Sequence, residues 1–144
     1  METLHLDCPS CPQTVSAVRQ SMDYALEVTN VEGCKAVDVM NVKLVCDQSL
    51  VFHPGGFSPN GDGENDVFYP RGKGVRQVLS LRIYNRLGQE VFRRENFNLN
   101  DISQGWKGDM NGRNLGTDVY IWLFDAICDT GERFQLKGNV TLLR

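Results

Sequence analysis

The chain has 144 residues, of which 41% are hydrophobic and 23% charged, and its formal net charge is −3. This composition is typical of a globular protein, and the scattered basic residues exclude the concentrated positive charge that nucleic acid or an anionic membrane would require. No run of about 18 apolar residues occurs, so we expect no transmembrane segment.

The first residues, METLHLDCPSCPQ, do not have the composition of a signal peptide. They lack its basic and apolar regions and instead alternate like part of a β strand. We therefore expect the chain to be a piece of a longer protein, with Met1 added to it.

Two short strands are predicted in the first third of the chain. One carries Tyr24, Leu26 and Val28 on one face, the other spans residues 36–45, and residues 30–33 form the turn between them. With the alternating residues at the start of the chain this makes about three strands, which are too few to enclose a core by themselves. We expect this part of the chain, residues 1–46, to be a partial β-sandwich segment, the end of a domain whose earlier strands lie upstream.

The chain holds five cysteines, four of them in this first segment: Cys8, Cys11, Cys34 and Cys46. Cys8 and Cys11 have the spacing of zinc ligands, but a second pair of ligands is missing, so disulfide bonds are the favoured form. Four cysteines allow three complete pairings, and the sequence does not choose between them. Cys128 is expected to be the odd one, a small apolar residue within a strand.

Beyond a boundary that we place near Asp47, strands with period-two alternation return. One is predicted over residues 78–84, and a turn at residues 85–88 leads into its antiparallel partner. Later comes the most apolar stretch, residues 119–128. Since both of its faces are apolar, we expect a central strand covered on both sides. The two faces are Val119, Ile121 and Leu123 on one side, and Tyr120, Trp122 and Phe124 on the other.

A last strand pair closes the chain over residues 133–144. Short strands, glycine-rich turns and the near absence of helical periodicity predict an all-β protein. We expect an Ig-like β-sandwich over residues 47–144, which is the usual size of one such domain.

The stretch FSPNGDGENDVF, residues 57–68, concentrates side-chain oxygens. Those at every second position belong to Asn60, Asp62, Glu64 and Asp66. A curled loop with glycines between its donors could gather several oxygens around Ca²⁺. The spacing is not that of an EF-hand, because Asn65 and Arg71 stand where that motif requires glycine and glutamate. Asn-Gly and Asp-Gly turns explain the same residues without a metal, and both interpretations stay open.

No catalytic motif is present in the sequence. The nucleophile elbow, the zinc-protease helix motif and the P-loop are missing, and neither His5 nor His53 has partners that would complete a triad. The acidic residues concentrate in turns, where hydrogen bonding to the backbone accounts for them. We therefore expect a protein that is not an enzyme.

Five blocks follow one another in the second part of the chain: FSPNGDGENDVF, LRIYNRLGQEVF, GWKGDMNGR, DVYIWLFDA and KGNVTLLR. In this order and spacing they resemble the gliding motility-associated C-terminal domain, the type B sorting domain of type IX secretion, over about residues 50–144. The resemblance implies a non-enzymatic sorting signal at the C-terminus of a large surface or secreted protein. It implies export through the periplasm of a Gram-negative-type bacterium to the cell surface or beyond, with the outer-membrane type IX secretion machinery as partner.

The resemblance also suggests residues for that machinery to recognise: Arg86, Lys137, Gly138, Val140 and Arg144. Each has a structural alternative, because Arg86 stands in a hairpin turn and Val140 alternates with Leu142 as core residues do.

The front segment resembles, in LDCPSCPQ, YALEVTNVEGCKA and VDVMNVKLV, the closing strands of the Ig-like or PKD-like repeats that often precede such domains. It would then be joined to further upstream domains of the parent protein. Two other functions stay open. One is a calcium-dependent adhesive or carbohydrate-binding module, with its site at residues 60–66 and Trp106, and the other is a structural spacer.

Overall fold

The computed structural model of the protein describes residues 6–16, 18 and 21–144, and the chain divides into two compact units between Val45 and Cys46. Within the described ranges, no helix has the length and apolar character needed to cross a membrane. His5 lies outside them.

The first unit contains one antiparallel hairpin, as its alternation predicted. Strands β1 (Met22–Thr29) and β2 (Lys35–Val42) pair in continuous register. The Asn30 side chain closes the turn by accepting the backbone N–H groups of Glu32 and Cys34 at 3.0 and 2.8 Å. No residue of these two strands is buried. The hairpin therefore displays apolar side chains on its surface: Leu26, Val28, Val37, Val39 and Met40.

The second unit is built on a five-stranded sheet with the order β4–β11–β10–β6–β7. These strands are β4 (Gly56–Phe57), β6 (Val75–Tyr84), β7 (Glu90–Phe97), β10 (Asp118–Cys128) and β11 (Arg133–Leu142). All neighbours are antiparallel except β4, which runs parallel to the end of β11. The most apolar strand, β10, lies at the centre, as expected of a strand with this composition.

Short strand pairs and loops cover one face of this sheet. They are β3 (Val51–Phe52) with β5 (Arg71–Gly72), β8 (Asp109–Met110) with β9 (Arg113–Asn114), an isolated bridge between Phe68 and Trp106, and the 3₁₀ turns Gln48–Leu50 and Ile102–Gln104. The predicted all-β sandwich is confirmed. Its second layer consists of two-residue strands, which are too short to be found by periodicity.

The core lies between these two layers, and eight of its 17 buried residues are aromatic. Trp106 is completely buried, with its ring 5.3 Å from that of Phe57 and 4.9 Å from that of Tyr120. Its Nε1 donates to the Asp109 carbonyl at 2.8 Å, which satisfies its polar atom. Gly105 makes room for this arrangement, because a Cβ there would lie 2.4 Å from a Val67 methyl group.

The prediction that β10 is covered on both faces was wrong. Its even-numbered aromatic residues are buried in the core, whereas Val119, Ile121 and Leu123 are 47%, 50% and 37% exposed. The alternation located both faces correctly. A period of two does not say whether another layer of the chain lies on the second face.

The cysteine prediction was also wrong, because it expected Cys34 to form a disulfide bond and Cys128 to remain outside one. Among the described residues, disulfide bonds join Cys8 to Cys11 and Cys46 to Cys128, and Cys34 is free and exposed. Cys128 is 2% exposed at the end of β10. The second bond therefore joins the beginning of the sandwich to its central strand across 82 positions of sequence.

Candidate functional site

The loop at residues 60–66 is closed by hydrogen bonds to its own backbone. The two carboxylate oxygens of Asp66 accept the N–H groups of Gly61 and Gly63, each at 2.8 Å. These hydrogen bonds hold the pKa of Asp66 below its usual range. Both glycines have positive φ, +82° and +90°, a conformation that costs glycine little and that directs these N–H groups inward.

Asn60 and Asp62 extend the same network. Asp62 accepts the backbone N–H of Glu64 and the side-chain amide of Asn60, both at 2.8 Å. Within the described residues, no group of three or more His, Cys, Asp or Glu side chains is arranged to hold a metal ion. Side-chain oxygens of three of the expected ligands, Asn60, Asp62 and Asp66, are engaged in turn formation, and calcium binding stays a prediction.

Positive charge also stands beside this loop. An open depression of about 770 Å³ is lined by Glu64 and Asp66 together with Arg71 and Lys107. The positive charges of Arg71 and Lys107 oppose the binding of Ca²⁺ nearby. The other half of the adhesive alternative meets an obstacle too, since the buried ring of Trp106 is not available to stack on a sugar.

Three of the residues expected to be recognised have structural roles. Val140 is completely buried. Gly138 lies under Trp122, where a Cβ would be 2.5 Å from the indole ring. Arg144 donates from Nε to the Leu115 carbonyl at 2.7 Å and from Nη2 to the Gly108 carbonyl at 2.9 Å. It thereby holds the chain after β11 against the second layer.

Arg86 and Lys137 are exposed, but they differ in their partners. Arg86 forms an ion pair with Asp118 at 2.8 Å and so connects the β6–β7 turn to the start of β10. Lys137 lies on β11, and among the described residues it has no ion-pair partner. Its Cα pairs with that of Leu123 on β10.

An apolar surface that was not expected from the sequence lies beside Lys137. We name the three exposed residues of β10, Val119, Ile121 and Leu123, the outer stripe. In the sheet register Leu123 stands between Arg82 of β6 and Lys137 of β11. The signal was present in the alternation of β10, but it was interpreted as a second core face.

The acidic groups near the outer stripe are already paired. Asp125 is 5% exposed and accepts hydrogen bonds from Arg133 and Gln135. The Arg133 guanidinium holds the pKa of Asp125 below its usual range. Glu90 is engaged by Arg93 at 2.9 Å.

Arg82 is not paired in this way. It makes no ion pair among the described residues, and its Nε is buried without a hydrogen-bond partner there. It lines a depression of about 280 Å³ together with Leu123 and Lys137. The surface next to the outer stripe therefore presents two cations that form no ion pair, although Arg82 lies close enough to Asp125 and Glu90 to contribute to the lowered pKa of both.

His53 packs as an aromatic residue. Its ring stacks on Trp122 with centroids 3.9 Å apart and meets the Phe124 ring edge-on at 4.9 Å. Burial lowers the pKa of His53 to about 4, so the ring is neutral at physiological pH. Its Nε2 has no hydrogen-bond partner among the described residues, which gives no support to a catalytic role.

Comparison with known proteins identifies one family for the second unit. The model described as the CHU_C Type IX secretion signal domain matches residues 51–142. No curated protein matches the chain. The matched span runs from the start of β3 to the end of β11 and so includes the five-stranded sheet and its covering layer.

Proposed function

The chain belongs to the CHU_C Type IX secretion signal domain family, and on this premise we propose that residues 47–144, with Cys46, form a non-enzymatic C-terminal sorting domain. It directs a large surface or secreted protein across the outer membrane by type IX secretion. The observation that carries the proposal is the family match over residues 51–142, which include all five strands of the main sheet.

The construction of the sandwich supports this proposal. A sorting domain must fold independently of the protein to which it is attached, and this unit has its own core between two layers. Its first residue, Cys46, is fastened to β10 by a disulfide bond, and Arg144 is held by two backbone carbonyls. The covalent bond also suits a route through the periplasm, because disulfide bonds persist in oxidising compartments.

The partner in this proposal is the outer-membrane part of the type IX machinery, and the destination is the cell surface or the medium. A folded domain of this kind is recognised through exposed strand edges, turn tips and surface side chains. Of the residues suggested by the resemblance, Lys137 and Arg86 are accessible for such recognition.

For the front segment we propose the end of a preceding Ig-like or PKD-like repeat. A two-stranded hairpin is at best marginally stable by itself. The exposure of Leu26, Val37 and Met40, at 65%, 61% and 63%, supports a structure that further strands complete.

A transplant tests the sorting proposal. The 144-residue chain and residues 46–144 are each fused behind a signal peptide and a fluorescent reporter, in cells with and without a working type IX system. We expect both fusions to be exported only by the competent cells, while a control fusion with residues 1–45 stays in the periplasm. Retention of the full-chain fusion in both strains would overturn the proposal.

A further inference from the structure

We propose that the outer stripe, flanked by Arg82 and Lys137, is a docking surface for a protein of the export machinery that presents apolar side chains bordered by carboxylates. The inference rests on the sorting function proposed above and names the surface that performs it. It differs from the residue set suggested by the family resemblance, of which it retains only Lys137.

The apolar part of this surface is unusual for its position. The outward face of an antiparallel sheet with one buried side is normally polar. Here three consecutive outward positions of the central strand are apolar, and each is more than one third exposed. Scattered apolar residues need no explanation, whereas a contiguous row bordered by polar groups indicates an interaction site.

The charges indicate which kind of partner fits. Neighbouring strands lie about 4.8 Å apart, so the backbones that carry Arg82 and Lys137 stand about 10 Å apart across Leu123. The nearby carboxylates, Glu90 and Asp125, are occupied by Arg93 and Arg133. A carboxylate from a partner would meet the charges of Arg82 and Lys137, while apolar contacts form along Ile121 and Val119.

A second copy of the chain fits less well than an acidic partner. In a two-fold interface centred on the outer stripe, the same patch is used by both copies. With the two-fold axis along β10, Arg82 and Lys137 approach the cations of the other copy, which like-charge repulsion opposes.

Export of the full-chain reporter tests the proposal with two charge variants. We expect R82E/K137E to lower export at least tenfold and R82Q/K137Q to lower it less, because reversal adds repulsion to the loss of attraction. The matched control is K73E/R113E, which makes the same change of charge at two exposed residues outside this surface. Each variant is purified and its melting temperature compared with that of the parent chain.

Apolar variants give an independent measurement. Ile121→Ser is expected to lower export severalfold, whereas Leu87→Ser, at an 85% exposed position in the β6–β7 turn, is expected to have no effect. Should Arg82 substitution unfold the sandwich, K137E and Ile121→Ser carry the test, since both positions are solvent-exposed.

The outcomes separate the two proposals. Failure of the unmodified chain to be exported would overturn the sorting function itself. Export of folded R82E/K137E and Ile121→Ser at the parental level would overturn the docking surface alone. Two further results would also overturn the docking surface. One is binding of the parental chain to phosphatidylglycerol vesicles that Ile121→Ser abolishes, because the occupant would then be lipid. The other is a dimer of the parental chain in sedimentation that Ile121→Ser abolishes, because the occupant would then be a second copy.

Discussion

The two units of this chain have similar strands but differ in how far those strands are buried. Both contain antiparallel strands with alternating apolar residues, yet none of the residues in β1 and β2 is buried, whereas six of the eleven residues in β10 are. What differs is the presence of a second layer, because a sheet becomes stable only when one face is covered. Alternation therefore identifies a strand, and the number of layers determines whether that strand contributes to a fold.

The largest expected effect is a difference in folding between the separated units. Residues 46–144 should unfold cooperatively in urea, while residues 1–45 should show no cooperative transition, because they bury no apolar residue in either strand. Circular dichroism and tryptophan fluorescence measure the sandwich, and circular dichroism measures the front segment. A sharp melt of residues 1–45 would remove the contrast between the units.

The two disulfide bonds should differ in how much they contribute to the stability of the sandwich. Removing the Cys46–Cys128 bond with C46A/C128A is expected to destabilise the sandwich by about 4 kcal/mol, since the bond closes a loop of 82 residues in the unfolded chain. The matched variant C8A/C11A should leave the same urea transition unchanged. Equal effects of the two variants would show that the front segment contributes to the stability of the sandwich.

Trp106 is the next most sensitive position. Trp106→Ala should cost about 3–5 kcal/mol, because its ring fills the space between Phe57 and Tyr120 and its N–H is satisfied inside the fold. Exposed apolar residues of the hairpin form the control: Val37→Ala should not change the urea midpoint of the full chain. An unchanged midpoint for Trp106→Ala would contradict the buried position of the ring.

Stability should fall on mild acidification through His53. Its pKa is about 4 in the folded chain and about 6.5 when unfolded, so the unfolded state binds the proton more readily and stability declines as the pH falls from 6.5 to 4. The whole decline is about 2–3 kcal/mol, allowing for partial solvent contact of the ring. His53→Phe should flatten this part of the pH profile. Persistence of the full slope in that variant would assign it to other groups.

The sequence was sufficient for the features that depend on local pattern. The hairpin at residues 22–42, the strands at residues 78–84 and 119–128 and the turns between them follow from alternation and turn chemistry. The sandwich class follows from their number and spacing. The family resemblance located the second unit because its five blocks contain core positions such as Val140 and turn positions such as Gly88.

Features that depend on long-range packing were not predictable in this way. The Cys46–Cys128 bond depends on the folded position of two segments 82 residues apart, and the stacking of His53 on Trp122 has the same origin. The outer stripe was misinterpreted for a different reason. An apolar side chain on a strand has the same sequence signature whether its own chain covers it or another molecule does.

The smallest expected effect concerns two turns, one in each unit, that are closed by an acidic or amide side chain. Asp66→Ala removes the acceptor of the Gly61 and Gly63 N–H groups and should lower the Tm of the sandwich by a few degrees. Asn30→Ala removes the acceptor of the Glu32 and Cys34 N–H groups but should leave that Tm unchanged.

The comparison is made with and without Ca²⁺. If the loop is a turn only, Ca²⁺ changes neither the parental Tm nor the effect of Asp66→Ala. A rise in the parental Tm with Ca²⁺ that Asp66→Ala abolishes would instead establish the metal site and remove the turn as a sufficient explanation, because only binding to the folded state raises the Tm with ligand concentration.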